Sequence, residues 1–170
     1  MKVREISPGL YIGTQADFES LVRHQKGWWV VHACKYPYHR DLLGYRTRAA
    51  PEGPHYYRVR HPREVLTLNM VDVDDPAFIH REELMDPCLD FIREGLQEGN
   101  KVLVHCNLGE SRAPGIGLLY LITYTDVLPR TTFPEAEQAF LHLYPGYNPK
   151  GGIRGFIRNN WEYYTIKNAE

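Results

Sequence analysis

The chain has 170 residues, 20 Lys and Arg against 21 Asp and Glu, a formal net charge of −1 and 43% hydrophobic residues. That is enough for a real core and most simply for one domain. It argues against a basic nucleic-acid surface or a charged tail, and no apolar run approaches the ~20 residues of a membrane span. The opening Met1-Lys2-Val3-Arg4-Glu5 holds no apolar signal core. Three scattered cysteines, Cys34, Cys88 and Cys106, form neither a disulfide framework nor a metal-ligand spacing. A reducing, cytoplasmic setting without metal or other cofactor is the expectation.

Residues 6–13 read as a turn followed by a short strand, and Thr14 can cap a helix over 15–24. The continuous apolar run 28–33 has the pattern of a central strand. Residues 34–40 read as a loop at its end, where Lys35, His39 and Arg40 are either phosphate-recognition groups or a solvated basic loop. Residues 41–63, rich in Gly, Pro, Arg and Tyr, make a long connection with a possible edge strand at 56–59. A strand over 64–71 runs into the acidic turn Asp72-Val73-Asp74-Asp75-Pro76. Helical spacing over 81–97 is stopped by Gly99-Asn100. A strand over 101–105 and an apolar helix over 113–124 follow, then a helix from 133 to about 144, a turn-rich loop over 144–153 and a closing helix over 155–166.

The chemistry concentrates in Val104-His105-Cys106-Asn107-Leu108-Gly109-Glu110-Ser111-Arg112-Ala113-Pro114. Pro is favoured at the start of a helix, so the order is strand, tight loop, helix. Such a loop aims backbone N–H groups and the positive helix end at one point, which makes it an anion site. The backbone of residues Asn107, Leu108, Gly109, Glu110 and Ser111 would cradle a phosphate, and Arg112 adds a planar fork for two of its oxygens. The same positive field favours the thiolate of Cys106 and places a nucleophile beneath the bound phosphate.

His105-Cys106, five residues, then Arg112, with Gly109 and Ser111 inside, resembles the signature of the cysteine-dependent protein tyrosine phosphatases, in particular the compact dual-specificity branch. The opening Leu10-Tyr11-Ile12-Gly13-Thr14-Gln15-Ala16-Asp17 is similar to the start of that branch. The resemblance covers most of the chain, least well residues 40–63. It implies a single α/β domain over 1–170, with a mainly parallel sheet of about four or five strands and helices on both faces. It also implies hydrolysis of phosphomonoesters through a phosphocysteine on Cys106, with an Asp past the 64–71 strand as general acid. Matching by strand end selects Asp72, and matching by distance back from Cys106 selects Asp75. Asp74 is a third candidate, and at least one of the three acids is a turn or cap residue. His105 is expected to orient the loop, Ser111 to shape it, and Cys34 to be a possible redox partner of the nucleophile. The expected partner is a phosphorylated protein or another phosphoester, with no nucleic acid and no membrane; the oligomeric state stays open.

Three departures from the family pattern stand out. Ala113 replaces a Ser or Thr whose hydroxyl would bond the cysteine sulfur, so breakdown of the phosphocysteine is expected to be slow. Glu110 puts a carboxylate at the rim of an anion site. Lys150 and Ile153 fall where the family's Asn and Phe would stand. The alternatives left by the sequence are a rhodanese-type or arsenate-reducing protein, a phosphate-binding pseudophosphatase, and a phosphatase of a phosphoinositide, nucleotide or RNA end.

Overall fold

The computed structural model describes residues 3–167. Strands β1 (Arg4–Ser7) and β2 (Leu10–Gly13) pair antiparallel around Pro8-Gly9. Thr14 then starts α1 (Gln15–Asp17) with a reciprocal cap: its hydroxyl accepts from Asp17 N at 3.0 Å, and its own N–H donates to Asp17 Oδ2 at 2.9 Å. The coil widens into a π-helical turn over Phe18–Val22, ending two residues short of the expected helix. Next come β3 (Trp28–His32), a helical turn over Lys35–His39, α2 (Arg40–Leu43), β4 (Arg58–Arg60) and β5 (Val65–Leu68). A π-helical turn (Arg81–Met85) leads into α3 (Asp86–Gln97), followed by β6 (Lys101–His105) and α4 (Arg112–Tyr124). Helices α5 (Phe133–Leu143), α6 (Gly151–Asn159) and α7 (Trp161–Lys167) complete the described chain.

The sheet order is β1-β2-β6-β3-β5-β4. The inner four strands are parallel, and an antiparallel strand closes each edge. The sheet is therefore wider than the four or five strands expected, by β1. Register fixes the place of the site: Gly13, His32 and His105 are level across β2, β3 and β6. Loops leaving these three strands thus meet beyond one edge, where α/β sheets bind ligands.

Alternation along the strands divides the core. Val102, Val104, Val31 and Ile12 face the large cluster shared with α3, α4, α5 and α6. Val30 and Leu103 point the other way, onto Phe18 and Val22. Helix α4 is buried from Arg112 through Thr123, as its all-round apolar sequence requires. It begins two residues before Pro114. That is tolerated because the N–H a proline lacks is one of the unpaired donors of the first turn.

Two expectations are corrected. Residues 34–40 are not an open loop: after an extended Tyr36 (φ −109°, ψ 129°) the chain coils helically into Arg40, and His39 is buried between Tyr45 Oη and the His55 carbonyl at 3.0 and 2.8 Å. The single closing helix is two, and the first begins four residues earlier than expected. They break at Asn160, whose amide donates to Phe156 O at 2.9 Å, a local bond that competes with helix continuation.

Candidate active site

Cys106 is 2% exposed and follows the last residue of β6. The loop after it reverses at Gly109, which has φ +69°. A β-carbon there would meet Gly13 O at 3.0 Å, so both the backbone angle and the close approach to β2 call for glycine. Leu108 projects outward, 66% exposed. The loop is tied on three sides. Gln15 N donates to Asn107 O at 3.2 Å, Tyr144 Oη to Gly109 O at 2.6 Å, and Asn148 N to Glu110 O at 2.7 Å.

Arg112, the first residue of α4, is buried. Its Nη1 donates to Met70 O at 2.9 Å and its Nη2 to Asn107 Oδ1 at 2.8 Å. Among the described residues nothing hydrogen-bonds the buried Nε. Asn107 in turn donates through Nδ2 to Gln15 Oε1 at 2.9 Å and to Tyr36 O at 3.0 Å.

The three acids of the 72–75 turn separate cleanly. Asp72 is half-buried, and its Oδ1 accepts from Ser111 Oγ at 2.7 Å. Asp75 is exposed and caps the short turn Pro76–Phe78, accepting from Ala77 N at 2.9 Å. Asp74 is exposed. Ser111 does more than shape the loop. Its hydroxyl accepts from Lys150 N at 2.9 Å while donating to Asp72, so the cysteine loop, the acid turn and the start of α6 share one oxygen. This use is made of the Lys150 backbone, so a lysine where the family has Asn does not disturb it. The Lys150 ammonium also reaches Asp72 O at 3.4 Å.

Beneath the loop lies a buried pair of histidines. His105 Nδ1 stands 3.3 Å from Cys106 O, and its Nε2 is 2.5 Å from His32 Nδ1. A carbonyl only accepts, so His105 donates through Nδ1 and accepts from His32. Burial holds both rings neutral, pulling His105 down to about 4 and His32 to about 2. Phe18 stacks on His105, and Tyr38 on His32. Cys34 Sγ lies 4.0 Å from His105 Nδ1, and burial pushes its thiol up to about 12.

Lys35 is turned inward onto Arg48 O, and His39 is consumed by the packing described above. Of the three recognition candidates in this segment, only Arg40 is left at the surface, paired with Asp41. Sequence reasoning missed the clamp made by Asn107, the Ser111 bridge and the bed on which the acid turn lies. A β-carbon on Gly151 would meet Asp74 O at 2.9 Å, and one on Gly152 would meet Val73 O at 2.2 Å. The readable signal was the Gly151-Gly152 pair at a helix start, where neither glycine is needed for the helix itself.

No family model matches the chain. Among curated proteins it is 38% identical over 101 residues to dual specificity protein phosphatase 1 of Arabidopsis thaliana, covering 59% of this chain and 47% of the relative. It is 30% identical over 158 residues to dual specificity protein phosphatase 26 of Bos taurus, covering 91% of this chain and 63% of the relative. The chain thus spans about half to two thirds of the relatives it matches. Among solved structures, that of DUSP15 superposes with a TM-score of 0.65 at 20% identity, over 98% of this chain and 91% of that one.

Proposed function

We propose that the chain, by its similarity to dual specificity protein phosphatases, is a member of the compact dual-specificity-like branch of the cysteine-dependent protein tyrosine phosphatases, and that it hydrolyses phosphomonoesters on proteins through a phosphocysteine. The observation that carries this reading is the Ser111–Asp72 hydrogen bond, which joins a proton donor to the cysteine loop. A rhodanese-type or arsenate-reducing site has no need of that acid. The Cys106 thiolate attacks phosphorus in line, an S–P bond forms and the ester P–O bond breaks. Asp72 gives its proton to the departing oxygen. Water then attacks the phosphocysteine and Asp72 takes its proton. The S–P bond breaks, inorganic phosphate leaves and the thiolate returns. Arg112 and the loop N–H groups of residues 107–111 hold the equatorial oxygens, where charge gathers in both transition states.

Asp72 is preferred over Asp75 because Asp75 spends its carboxylate on a cap. His105 supports the loop through the Cys106 carbonyl. Cys34 would serve as a redox partner for an oxidised Cys106, a slow one, since burial pushes its thiol up to about 12. A reducing, cytoplasmic setting would keep the Cys106 thiol available as the nucleophile. Residues 1–170 would form one catalytic domain.

Hydrolysis of para-nitrophenyl phosphate against pH, without metal, tests the reading in wild type and Cys106→Ser. A bell-shaped profile lost in the variant supports it. Tungstate binding without any turnover would instead identify a phosphate-binding protein.

A further inference from the structure

We infer that Asn107 is the positioning residue that aims Arg112 at the substrate phosphate, an inference that rests on the phosphate-loop reading above. A guanidinium offers two edges to a bidentate partner: the end edge between Nη1 and Nη2, and the side edge between Nε and Nη2. Nη1 bonds the Met70 carbonyl and Nη2 bonds the Asn107 side chain, while the buried Nε is left without a bond among the described residues. The protein therefore grips the outer nitrogens and presents the side edge. Nη2 carries two protons, so one can stay on Asn107 while the other joins Nε–H on a phosphate oxygen pair.

Asn107 suits this task because its amide is fixed from behind. Both Nδ2 protons are spent, one on Gln15 Oε1 and one on Tyr36 O. The carbonyl end of the side chain can then point only at Arg112. Helix α1, the Tyr36 segment and α4 meet on this one carboxamide, and among the described residues the 2.8 Å contact is the one of its three bonds that reaches the phosphate-binding group. The three fixed bonds restrict Arg112, whose long side chain would otherwise spend rotamer freedom on each binding event. A backbone contact from Gln15 N to Asn107 O holds the same residue in place.

The test compares wild type, Asn107→Ala and Gln15→Ala as the full chain. Tungstate affinity is measured by calorimetry, so that it is read whether or not the protein turns over. Steady-state kinetics with para-nitrophenyl phosphate, alkylation of Cys106 by uncharged iodoacetamide and thermal midpoints accompany it. Asn107→Ala is expected to weaken tungstate about tenfold to a hundredfold and to lower kcat/KM by a similar factor. The alkylation rate, the acid limb of the pH profile and the midpoint should stay near wild type. Gln15→Ala should show the same pattern, smaller. Unchanged or tighter tungstate binding in Asn107→Ala would overturn the inference, the tighter case because Asn107 would then compete with phosphate. A parallel loss of alkylation and stability would overturn it too, since Asn107 would merely be holding the loop together. Absence of turnover in wild type with the tungstate pattern intact would sink the phosphatase reading and leave this one standing.

Discussion

At the scale of single residues, the site assigns different work to groups that look alike. Asp72 and Asp75 are three positions apart, yet one bonds the cysteine loop and the other caps a turn. Asp72→Asn should lower kcat/KM, which reports the step that forms the phosphocysteine, by about 10²–10⁴-fold on a phenyl phosphate, whose leaving oxygen needs a proton, and much less on para-nitrophenyl phosphate. Asp75→Ala should leave both rates near wild type and cost at most about 1 kcal/mol, the usual worth of a cap. Equal losses in the two variants would reverse the assignment. Ala113 is fully buried at the second position of α4 and brings no hydroxyl to the loop. A thiolate without that donor is a poorer leaving group from phosphorus. Ala113→Ser should therefore raise turnover, and rapid-quench trapping should find less phosphocysteine in it than in wild type.

At the scale of elements, the acid turn is held by packing against backbone. Gly152 N donates to Val73 O at 2.9 Å, and Gly155 lies against Pro76. The first turn of α6 is in effect a flat bed for residues 73–76. A methyl at residue 152 would come within 2.2 Å of the Val73 carbonyl, and a backbone oxygen cannot step aside as a side-chain tip can. Gly152→Ala should thus displace Asp72 and cut phenyl phosphate hydrolysis at least tenfold, with alkylation of Cys106 by iodoacetamide little changed. Overpacking of this kind costs about 1–3 kcal/mol, so the thermal midpoint should fall as well. A variant with wild-type kinetics on both substrates would show that the turn is not held this way.

For the whole molecule, the buried histidines set the response to acid. His32 and His105 are neutral in the fold because burial opposes their charged forms, and they sit against each other between β3 and β6. In the unfolded chain each takes a proton below about pH 6.5. The unfolded state then binds more protons than the folded one, so stability falls as pH drops from about 6.5 toward 4, where His105 itself begins to charge. The slope is about 1.4 kcal/mol per pH unit for each histidine. Glu19, held down to about 2 chiefly by its hydrogen bond from Arg23, adds a loss at lower pH, between about 4.3 and 2. Urea unfolding at pH 7, 6 and 5 should show stability decreasing, with about two protons taken up between pH 6 and 5. A flat profile over that range would mean the pair is charged or open to solvent.

What the sequence determined by itself was whatever is local or periodic. The strand, loop and helix around Cys106 were legible because an apolar run, Gly109 and a helix start lie within a few residues of one another. The central strands were legible because parallel strands buried on both faces need unbroken apolar runs. Folding decided what depends on distant partners. β1 reads as a turn until β2 pairs with it, and the coil over Lys35–His39 forms where His39 can be buried under Tyr45 and His55. Three candidate acids stay equivalent in sequence, since each is an Asp in the same turn. Only tertiary structure brings Ser111, 39 residues further on, to one of them. The same holds for Asn107, whose partners at residues 15, 36 and 112 become neighbours only when β2, β3 and β6 end level. A hydrogen bond acts over about 3 Å, so its partners are set by where the strands stop and carry no mark along the chain.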